Sequence, residues 1–216
     1  MTPLLNLGRR LGALVISALC AAILTGGSAM ASEEPDFTVV MAEDGFEVRD
    51  YPALIAAEVA VSGSRDEASS EGFRLLAGYI FGGNTRNQSI AMTTPVVQGR
   101  PRGETIAMTA PVTQSGEGDA WTVRFIMPSE YSMETLPTPD SSQVRLVEVP
   151  VRRYAVARFS GLARSAEVER QTAELTAFME RHELQASGTP SLARYDPPWT
   201  PWFMRRNEIW VELERP

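Results

Sequence analysis

The chain has 216 residues and a formal net charge of −7 at pH 7, and all 20 of its basic residues are arginine. An acidic balance of this size disfavours polyphosphate partners, so nucleic acid is not expected as a ligand. With one cysteine and one histidine, the chain lacks the ligands for a Cys/His zinc site and offers no credible Ser-His or Cys-His catalytic pair.

The first 31 residues carry the features of an export signal. An arginine pair precedes an apolar run over residues 11–24, and small residues follow up to Ala31. This order predicts cleavage after Ala31, and the run is shorter than the ~20 residues of a membrane span. We therefore expect a signal peptide over 1–31, a single domain over 32–216, and a periplasmic or secreted protein with no stable membrane span after cleavage. An uncleaved anchor is the alternative.

Strands and one helix are predicted in the first part of this domain. Apolar alternation between turn residues predicts three strands, over residues 37–41, 46–52 and 54–63. Ser64 and Glu67 then form an S-x-x-E capping box, which starts a helix by satisfying free N–H groups at its N-terminus. Apolar residues continue at helical spacing until the Gly82-Gly83 pair, which ends the helix.

Two nearly identical octamers follow, SIAMTTPV (89–96) and TIAMTAPV (105–112). Under the two-residue alternation of a strand, Met92 and Met108 occupy corresponding positions on one face. We interpret the octamers as two neighbouring strands of one hairpin, in which each methionine fills core space. A pair of thioether ligands to a soft metal or heme iron is the alternative.

The second half of the domain repeats the first. Residues 146–161 align without a gap on residues 48–63, and both stretches end in Ser-Gly. The second copy also precedes a helix, predicted from Ser165 to His182, and later strands are predicted over 121–128, 191–195 and 207–213. The pattern strand–strand–helix–strand occurs twice and indicates an α+β fold, with pseudo-repeats at about 37–128 and 143–214. We expect one mostly antiparallel barrel or saddle with a pseudo-twofold axis.

The only histidine, His182, is predicted at the last turn of the second helix. A histidine there complements the helix dipole. Axial ligation of a heme iron is the alternative, because imidazole is a good iron ligand. We expect the capping role.

Several stretches together resemble the SOUL heme-binding-protein family. They occur in the family's order over about residues 36–214, and they comprise YIFGGN (79–84), both octamers, FIMPSEYSMETLPTP (125–139) and YDPPWTPWFMRRNEIWVEL (195–213). The resemblance implies two similar halves that form a distorted antiparallel β-barrel flanked by two helices. This fold is related to small-molecule effector-binding domains, and the implication agrees with the duplication seen in the residues.

The resemblance also implies a tetrapyrrole ligand held in a surface cleft beside the first helix. Carried over by position, the apolar wall comprises Phe73, Leu76, Ala77 and Ile80. Ser70, Gly78 and Thr200 stand where animal relatives carry basic residues, so Arg74 and Arg86 are the substitutes for binding propionates. The Pro-rich segment 195–203 supplies Trp199 and Trp202 as an aromatic rim that stacks on a planar ligand; a loop that closes one barrel end is the alternative.

Glu208 alternates with Trp210 on the last predicted strand. We expect a half-exposed carboxylate paired with a neighbouring arginine. In the related effector-binding domains, a carboxylate inside the cleft attracts cationic ligands or assists hydrolysis, which is the alternative.

The sequence therefore predicts non-enzymatic, non-covalent binding of heme or a related tetrapyrrole, with no catalytic residue and no metal ligand assigned. One alternative is a binding module for another hydrophobic or cationic small molecule. A second alternative is a hydrolase that uses Glu208 with a cleft tyrosine. Protein partners and the oligomeric state are not predicted.

Overall fold

A computed structural model describes residues 32–86 and 103–214. Within this part of the chain no helix is both long and apolar enough to cross a membrane. The elements, in chain order, are β1 (Thr38–Glu43), β2 (Phe46–Tyr51), β3 (Leu54–Ser62), α1 (Arg65–Ile80), β4 (Asn84–Thr85), β5 (Val112–Glu117), β6 (Ala120–Ile126), β7 (Thr138–Pro139), β8 (Arg145–Val149), β9 (Arg152–Ser160), α2 (Ser165–Arg181), β10 (Ser191–Arg194), a 3₁₀ turn (Trp202–Met204) and β11 (Arg206–Glu212).

Nine of these strands form one curled antiparallel sheet, which is a half-barrel. The strand order is β1-β2-β9-β11-β10-β5-β6-β3-β8, and β4 pairs with β7 in a separate two-stranded sheet. Two helices accompany the sheet. The predicted fold class, an α+β barrel-like sheet flanked by two helices, is confirmed.

The sheet order is symmetric about the β10–β5 pair. The duplicated stretches place β2 opposite β8, β3 opposite β9, β5 opposite β10 and β6 opposite β11. When these partners are exchanged, the order from β2 to β8 reads the same in reverse. The first strand of each half pairs with the second strand of the other half, β2 with β9 and β8 with β3. The continuous nine-stranded sheet therefore needs strands from both halves.

The repeated Ser-Gly pairs have the same structural role in both halves. Each glycine follows the long strand and precedes a helix, and each has a positive φ, +118° at Gly63 and +101° at Gly161. An L side chain is strained in this region, so glycine is favoured. The repeat in the sequence thus marks one turn that the fold uses twice.

The predicted capping box at the start of α1 is confirmed. Ser64 accepts a hydrogen bond from the Glu67 backbone N–H at 3.4 Å, and the Glu67 carboxylate accepts from the Ser64 backbone N–H at 3.0 Å. Close packing on the sheet then depends on Gly72, because an added Cβ would lie 2.5 Å from a methyl carbon of Val123.

Each helix buries one face against its own half of the sheet. The core under α1 includes Leu76, Tyr79 and Ile80 with Val59, Val123 and Phe125. The core under α2 includes Val168, Leu175, Phe178 and Met179 with Ala155, Ala157, Ile209 and Val211. The opposite face of the sheet has a third apolar cluster, built on Tyr51, Val156, Ala193 and Trp210.

The second octamer is not the strand that was predicted, and its pairing with the first octamer stays a prediction. The first octamer lies outside the described residues, and the second forms isolated bridges from Thr105 to Phe81 and from Thr109 to Glu33 before β5 begins at Val112. Its backbone donors go to different partners, since Ile106 bonds to the Ile80 carbonyl and Ala110 to the Glu33 carbonyl. Pro111 has no N–H to donate to a ladder. The core role of Ile106 and Met108 against α1 is nevertheless observed.

Candidate functional site

The four apolar residues predicted on α1 fall on two different sides of the helix. Leu76 and Ile80 are fully buried in the core beneath α1, at 0% and 1% exposure. Phe73 is 39% exposed and meets Phe125 edge-on, with the ring centroids 5.4 Å apart. Ala77 is half-buried. A ligand on the surface of α1 can therefore reach Phe73 and Ala77, whereas Leu76 and Ile80 support the helix from below.

Exposed apolar residues continue beyond Phe73 along the helix. Phe73, Ala77 and the C-cap residue Phe81 follow one another at four-residue spacing, which places them on one side of α1. Phe81 is 62% exposed. We call Phe73, Ala77 and Phe81 the α1 stripe.

The two predicted basic residues near α1 are exposed and each faces a carboxylate. Arg74 donates to Glu71 at 2.9 and 2.5 Å, and Arg86 lies 3.4 Å from Glu104. Such exposed pairs stabilise a protein by only ~0–1 kcal/mol, so each guanidinium can exchange its partner for a ligand carboxylate at little cost. Glu104 also accepts from the Tyr131 hydroxyl at 2.8 Å, and burial together with this bond raises the pKa of Tyr131 to about 12.

The Pro-rich segment between β10 and β11 is a loop whose large side chains are exposed. We call residues 196–204 the aromatic loop. Its exposed apolar residues are Trp199 (82%), Trp202 (60%), Phe203 (62%) and Met204 (64%). Arg205 holds the backbone by donating to the carbonyl oxygens of Thr200, at 2.8 Å, and Pro198. The side chains are thus presented to solvent by a fixed backbone.

The aromatic loop leaves the sheet beside α1. Arg194, the last residue of β10, donates from Nη1 to the Ser69 hydroxyl on α1 at 2.6 Å. Ser69 lies one helical turn before Phe73. The structure therefore anchors the start of the loop one turn from the α1 stripe.

The other face of the sheet carries a buried carboxylate, Glu208, which is 0% exposed. Arg49 reaches it at 3.0 and 3.3 Å and Arg206 at 2.8 and 3.1 Å, and the hydroxyl of Tyr195 and the indole of Trp210 both donate to it at 2.7 Å. Burial alone would raise the pKa of Glu208, but Arg49 and the donors of Tyr195 and Trp210 hold it below its usual value. The expected arginine pairing is present, and the expected half-exposure is wrong because the side chain is enclosed.

Sequence reasoning missed Arg49 as the main partner of Glu208. Arg49 is only 3% exposed and lies on β2, which reaches β11 through β9. A second buried carboxylate, Glu58 on β3, was also missed; it accepts from Arg124 at 2.7 Å and from Arg145 at 3.0 Å. The sequence feature that could have identified Arg49 and Glu58 is the position of a charged residue among the apolar residues of a predicted strand.

His182 lies at the end of α2, as predicted. It is the C-cap residue, and its Nε2 is 3.0 Å from a carboxylate oxygen of Glu43. No group of three or more His, Cys, Asp or Glu side chains within residues 32–86 and 103–214 is arranged to hold a metal ion.

Solved structures share the fold at low sequence identity. The C-terminal domain of EcmrR matches with a TM-score of 0.53 and 12% identity, covering 79% of this chain and 98% of that domain. A hydrolase from Listeria innocua matches with a TM-score of 0.53 and 14% identity, covering 81% and 94%. At these identities the likeness concerns the fold alone.

Comparison of the sequence with known proteins identifies the family, which the likeness of folds does not. Heme-binding protein 1 of Xenopus laevis is 28% identical over 170 residues, which cover 76% of this chain and 82% of the relative. Heme-binding protein 1 of Bos taurus is 25% identical over 149 residues, covering 68% and 71%. The profile of the SOUL heme-binding protein family matches residues 32–212. The chain therefore belongs to the SOUL heme-binding protein family.

Proposed function

We propose that the protein binds heme or a related tetrapyrrole non-covalently, on the surface formed by the α1 stripe and the aromatic loop. The observation that carries this proposal is the exposure of large apolar side chains there, 39% for Phe73, 62% for Phe81, 82% for Trp199 and 60% for Trp202. Contiguous exposed apolar patches commonly mark binding sites, and the proposal places the α1 stripe and the aromatic loop in one such patch. Family membership supports the tetrapyrrole as its ligand class.

Aromatic side chains suit a flat macrocycle. An indole or phenyl ring can stack face to face or meet a ring edge, and it buries a large apolar area for few rotatable bonds. Because the prolines and Arg205 fix the aromatic loop, ligand binding would lose little backbone freedom there. Trp199 and Trp202 would cover one part of the macrocycle, and Phe73 and Ala77 would contact another.

The other proposed contacts between the protein and the tetrapyrrole are polar. Arg74 and Arg86 would bind the propionates by exchanging Glu71 and Glu104 for the ligand carboxylates, which a guanidinium can bind through two parallel hydrogen bonds. His182 is held by Glu43 at the end of α2 and is not assigned to iron. The side chains around α1 are therefore suited to contacts with the ring and the carboxylates of a porphyrin rather than to ligation of its metal.

A binding role fits the chemistry of Glu208 better than a hydrolytic role does. The Tyr195 hydroxyl donates to this carboxylate, so the two residues form the pair that a hydrolase would need. However, Glu208 has no exposed surface and already accepts from two arginines and an indole. A general base must reach the proton that it removes. Glu208 and Tyr195 are therefore better suited to holding neighbouring strands together than to acid–base catalysis.

The proposal is tested by hemin titration of two charge-introducing variants. Phe73→Asp places a carboxylate in the α1 stripe, and Val40→Asp does the same on β1, where Val40 is 49% exposed. We expect hemin affinity to fall by about tenfold or more in the first variant, equivalent to ~1.4 kcal/mol, and to be unchanged in the second. Equal affinities in the two variants would refute this location. Leu76→Asp is unsuitable because Leu76 is fully buried and its substitution would unfold the helix.

A second candidate is the binding of a hydrophobic cation. One observation favours it: a cavity of about 470 Å³ is lined by Glu33, Glu34 and Asp36 together with apolar residues such as Leu54, Ile55 and Ile126. Within residues 32–86 and 103–214, no basic residue lines this cavity. Mass spectrometry of the ligand that co-purifies with the protein from its native host would separate the candidates, since a tetrapyrrole supports the first and an organic cation supports the second.

We also propose that the protein is exported and that residues 1–31 are removed, because Ala29 and Ala31 fill the small-residue positions before the cleavage site. N-terminal sequencing of periplasmic or secreted protein should then begin at Ser32. Intact protein beginning at Met1 and recovered from membranes would contradict this.

A further inference from the structure

A cavity lies where the two halves of the domain meet, on the helix-covered side of the sheet. Its volume is about 350 Å³. The first half contributes residues from the start of α1 and from β5 and β6, and the second half contributes residues from α2, β10 and β11. Among the lining side chains are Arg65, Gln114, Trp121, Thr172, Leu192 and Ile209. None of the residues predicted to bind tetrapyrrole lines this cavity.

Arg65, the first residue of α1, brings an uncompensated cation to this cavity. Its guanidinium forms no hydrogen bond or ion pair with any residue of the described ranges, and its Nη1 is shielded from solvent without an acceptor. The contact that the structure gives it is the ring of Trp121, whose centroid lies 5.5 Å from Cζ. Shielded donors normally have acceptors in folded proteins, and a charged donor needs one most.

A second guanidinium increases the positive charge beside the cavity. Arg194 is linked to Arg65 through Gln114, whose Oε1 accepts from Arg194 at 3.3 Å and whose Nε2 donates to the Arg65 carbonyl at 2.7 Å. The nearest carboxylate to Arg194 belongs to Asp66, which is 4.0 Å away and 90% exposed. Burial lowers the pKa of Arg194. The Asp66 carboxylate opposes this shift, and repulsion from Arg65 adds to it.

One carboxylate also lines the cavity, and it does not neutralise Arg65. Glu169 is an exposed residue on α2. Arg65 and Glu169 are both described by the structure and form no ion pair. The Arg65 guanidinium is therefore a charged group at the cavity wall with no ion-pair partner among the described residues.

We propose that this cavity binds a small organic carboxylate, with the anion on Arg65 and the apolar part against Trp121, Leu192 and Ile209. A guanidinium can hold a carboxylate through two parallel hydrogen bonds, which would supply the acceptor that Arg65 lacks. The volume is at the lower end of the roughly 300–1,000 Å³ of small-molecule sites and suits an acid of the size of benzoate rather than a tetrapyrrole. The site is independent of the proposed heme surface, because Phe73 lies two helical turns beyond Arg65.

The test uses benzoate and its neutral analogue benzamide as probes. Each is titrated into the ¹⁵N-labelled protein, and amide shifts of residues around Arg65, Trp121 and Thr172 are followed. We expect saturable shifts with benzoate and at least about tenfold weaker binding of benzamide, because only the anion satisfies the guanidinium. Equal affinity for the two probes, or no saturation by benzoate up to about 10 mM, would overturn the proposal.

Variants assign the binding to Arg65. Arg65→Met removes the charge at similar length and should weaken benzoate binding by about tenfold, while Arg65→Lys keeps the charge and should retain most of the affinity. Arg181→Met is the matched control, because it removes an exposed arginine from the far end of α2. If Arg65→Met and Arg181→Met bind benzoate equally well, the proposal is wrong. The hemin titration is a separate readout, so failure here leaves the tetrapyrrole proposal untouched.

Discussion

Arg49 and Glu208 form a buried two-pronged ion pair, with contacts of 3.0 and 3.3 Å, between strands of opposite halves of the sheet. Arg49 is 3% exposed and Glu208 is 0% exposed. Removal of one member of such a pair leaves an uncompensated buried charge, which is far more destabilising than the loss of a surface pair. The pair therefore joins the two halves on the sheet face opposite the helices.

The first prediction concerns this pair. Arg49→Met should lower the free energy of unfolding by ~3–5 kcal/mol because Glu208 would lose one of its two cations inside the protein. Arg170→Met, which breaks exposed pairs on α2, should cost ~1 kcal/mol or less. Urea unfolding followed by tryptophan fluorescence measures both. A similar small effect in the two variants would show that solvent reaches the Glu208 cluster.

The double variant R49M/E208Q provides a further check. Its loss of unfolding free energy should be smaller than the sum of the two single losses, since the two groups belong to one hydrogen-bonded network. Additive losses would mean that the two side chains act independently.

The second prediction concerns acid stability. Arg49 and the donors from Tyr195 and Trp210 lower the pKa of Glu208 in the folded protein below the ordinary value of 4.5. The unfolded chain therefore binds this proton more readily. The stability that Glu208 contributes is complete above the unfolded pKa and is lost as the pH falls through the lower, folded pKa.

Glu208→Gln should flatten this acid-side decline, because the variant has no proton to take up at this position. Unfolding free energies measured from pH 6 down to about pH 3 would show it, with Glu148→Gln on β8 as an exposed control. A decline of unchanged steepness in Glu208→Gln would contradict the assigned pKa shift.

The third prediction separates packing from ligation at the octamer methionines. Met108 is half-buried against the core under α1. Met108→Leu conserves volume and should cost less than ~1.5 kcal/mol, and Met108→Ala should cost ~2 kcal/mol, at the low end of core truncations. Met92 lies outside the described residues, and the same forecast remains a prediction for it.

Hemin spectra of these variants give the second readout. If the methionines only pack, the Leu variants should leave the Soret band in place. A shifted Soret band in a Leu variant of unchanged stability would instead assign its sulfur to iron.

The fourth prediction concerns the aromatic loop. Trp202→Ser should change the unfolding free energy by no more than ~0.5 kcal/mol, since the side chain is 60% exposed. It should nevertheless weaken hemin binding, because a stacking surface is lost. Parallel urea and hemin titrations measure the two effects, and Val40→Ser on β1 is the exposed control. A large loss of stability without weaker binding would support the alternative that the loop only closes one end of the barrel.

Local signals in the sequence were sufficient for the start of α1 and for the turn that precedes each helix. The S-x-x-E motif positions the start of α1, because the Ser64 and Glu67 contacts that it predicts are made within four residues. The repeated Ser-Gly pairs revealed the duplication, since a positive φ at Gly63 and Gly161 is a requirement of the local backbone. Such features need no knowledge of the tertiary structure.

The side of α1 that faces the sheet could not be read from apolar spacing alone. Phe73, Leu76 and Ile80 are all compatible with one helical face, yet Phe73 is exposed and the others are buried. Gly72 marks the side of α1 that lies against the sheet, because an added Cβ there would meet Val123. A glycine carries no apolar signal, so apolar spacing does not reveal this close approach.

Long-range polar contacts were also beyond the sequence. Arg49 and Glu208 are 159 positions apart, and they meet because β2 and β11 both pair with β9, which lies between them. The strand prediction for the second octamer is wrong for a related reason: its backbone donors at Ile106 and Ala110 bond to α1 and to the N-terminal segment, which are distant in sequence.

Binding of tetrapyrrole by the α1 stripe and the aromatic loop can be observed residue by residue in a ¹H–¹⁵N spectrum of the protein with and without hemin, because ferric heme broadens the signals of nearby nuclei. We expect broadening of the α1 amides around Phe73 and Ala77 and of the Trp199 and Trp202 indole N–H signals, while Val40 and the residues around Glu208 stay sharp. Broadening centred on the Glu208 face, or no change at saturating hemin, would contradict this expectation.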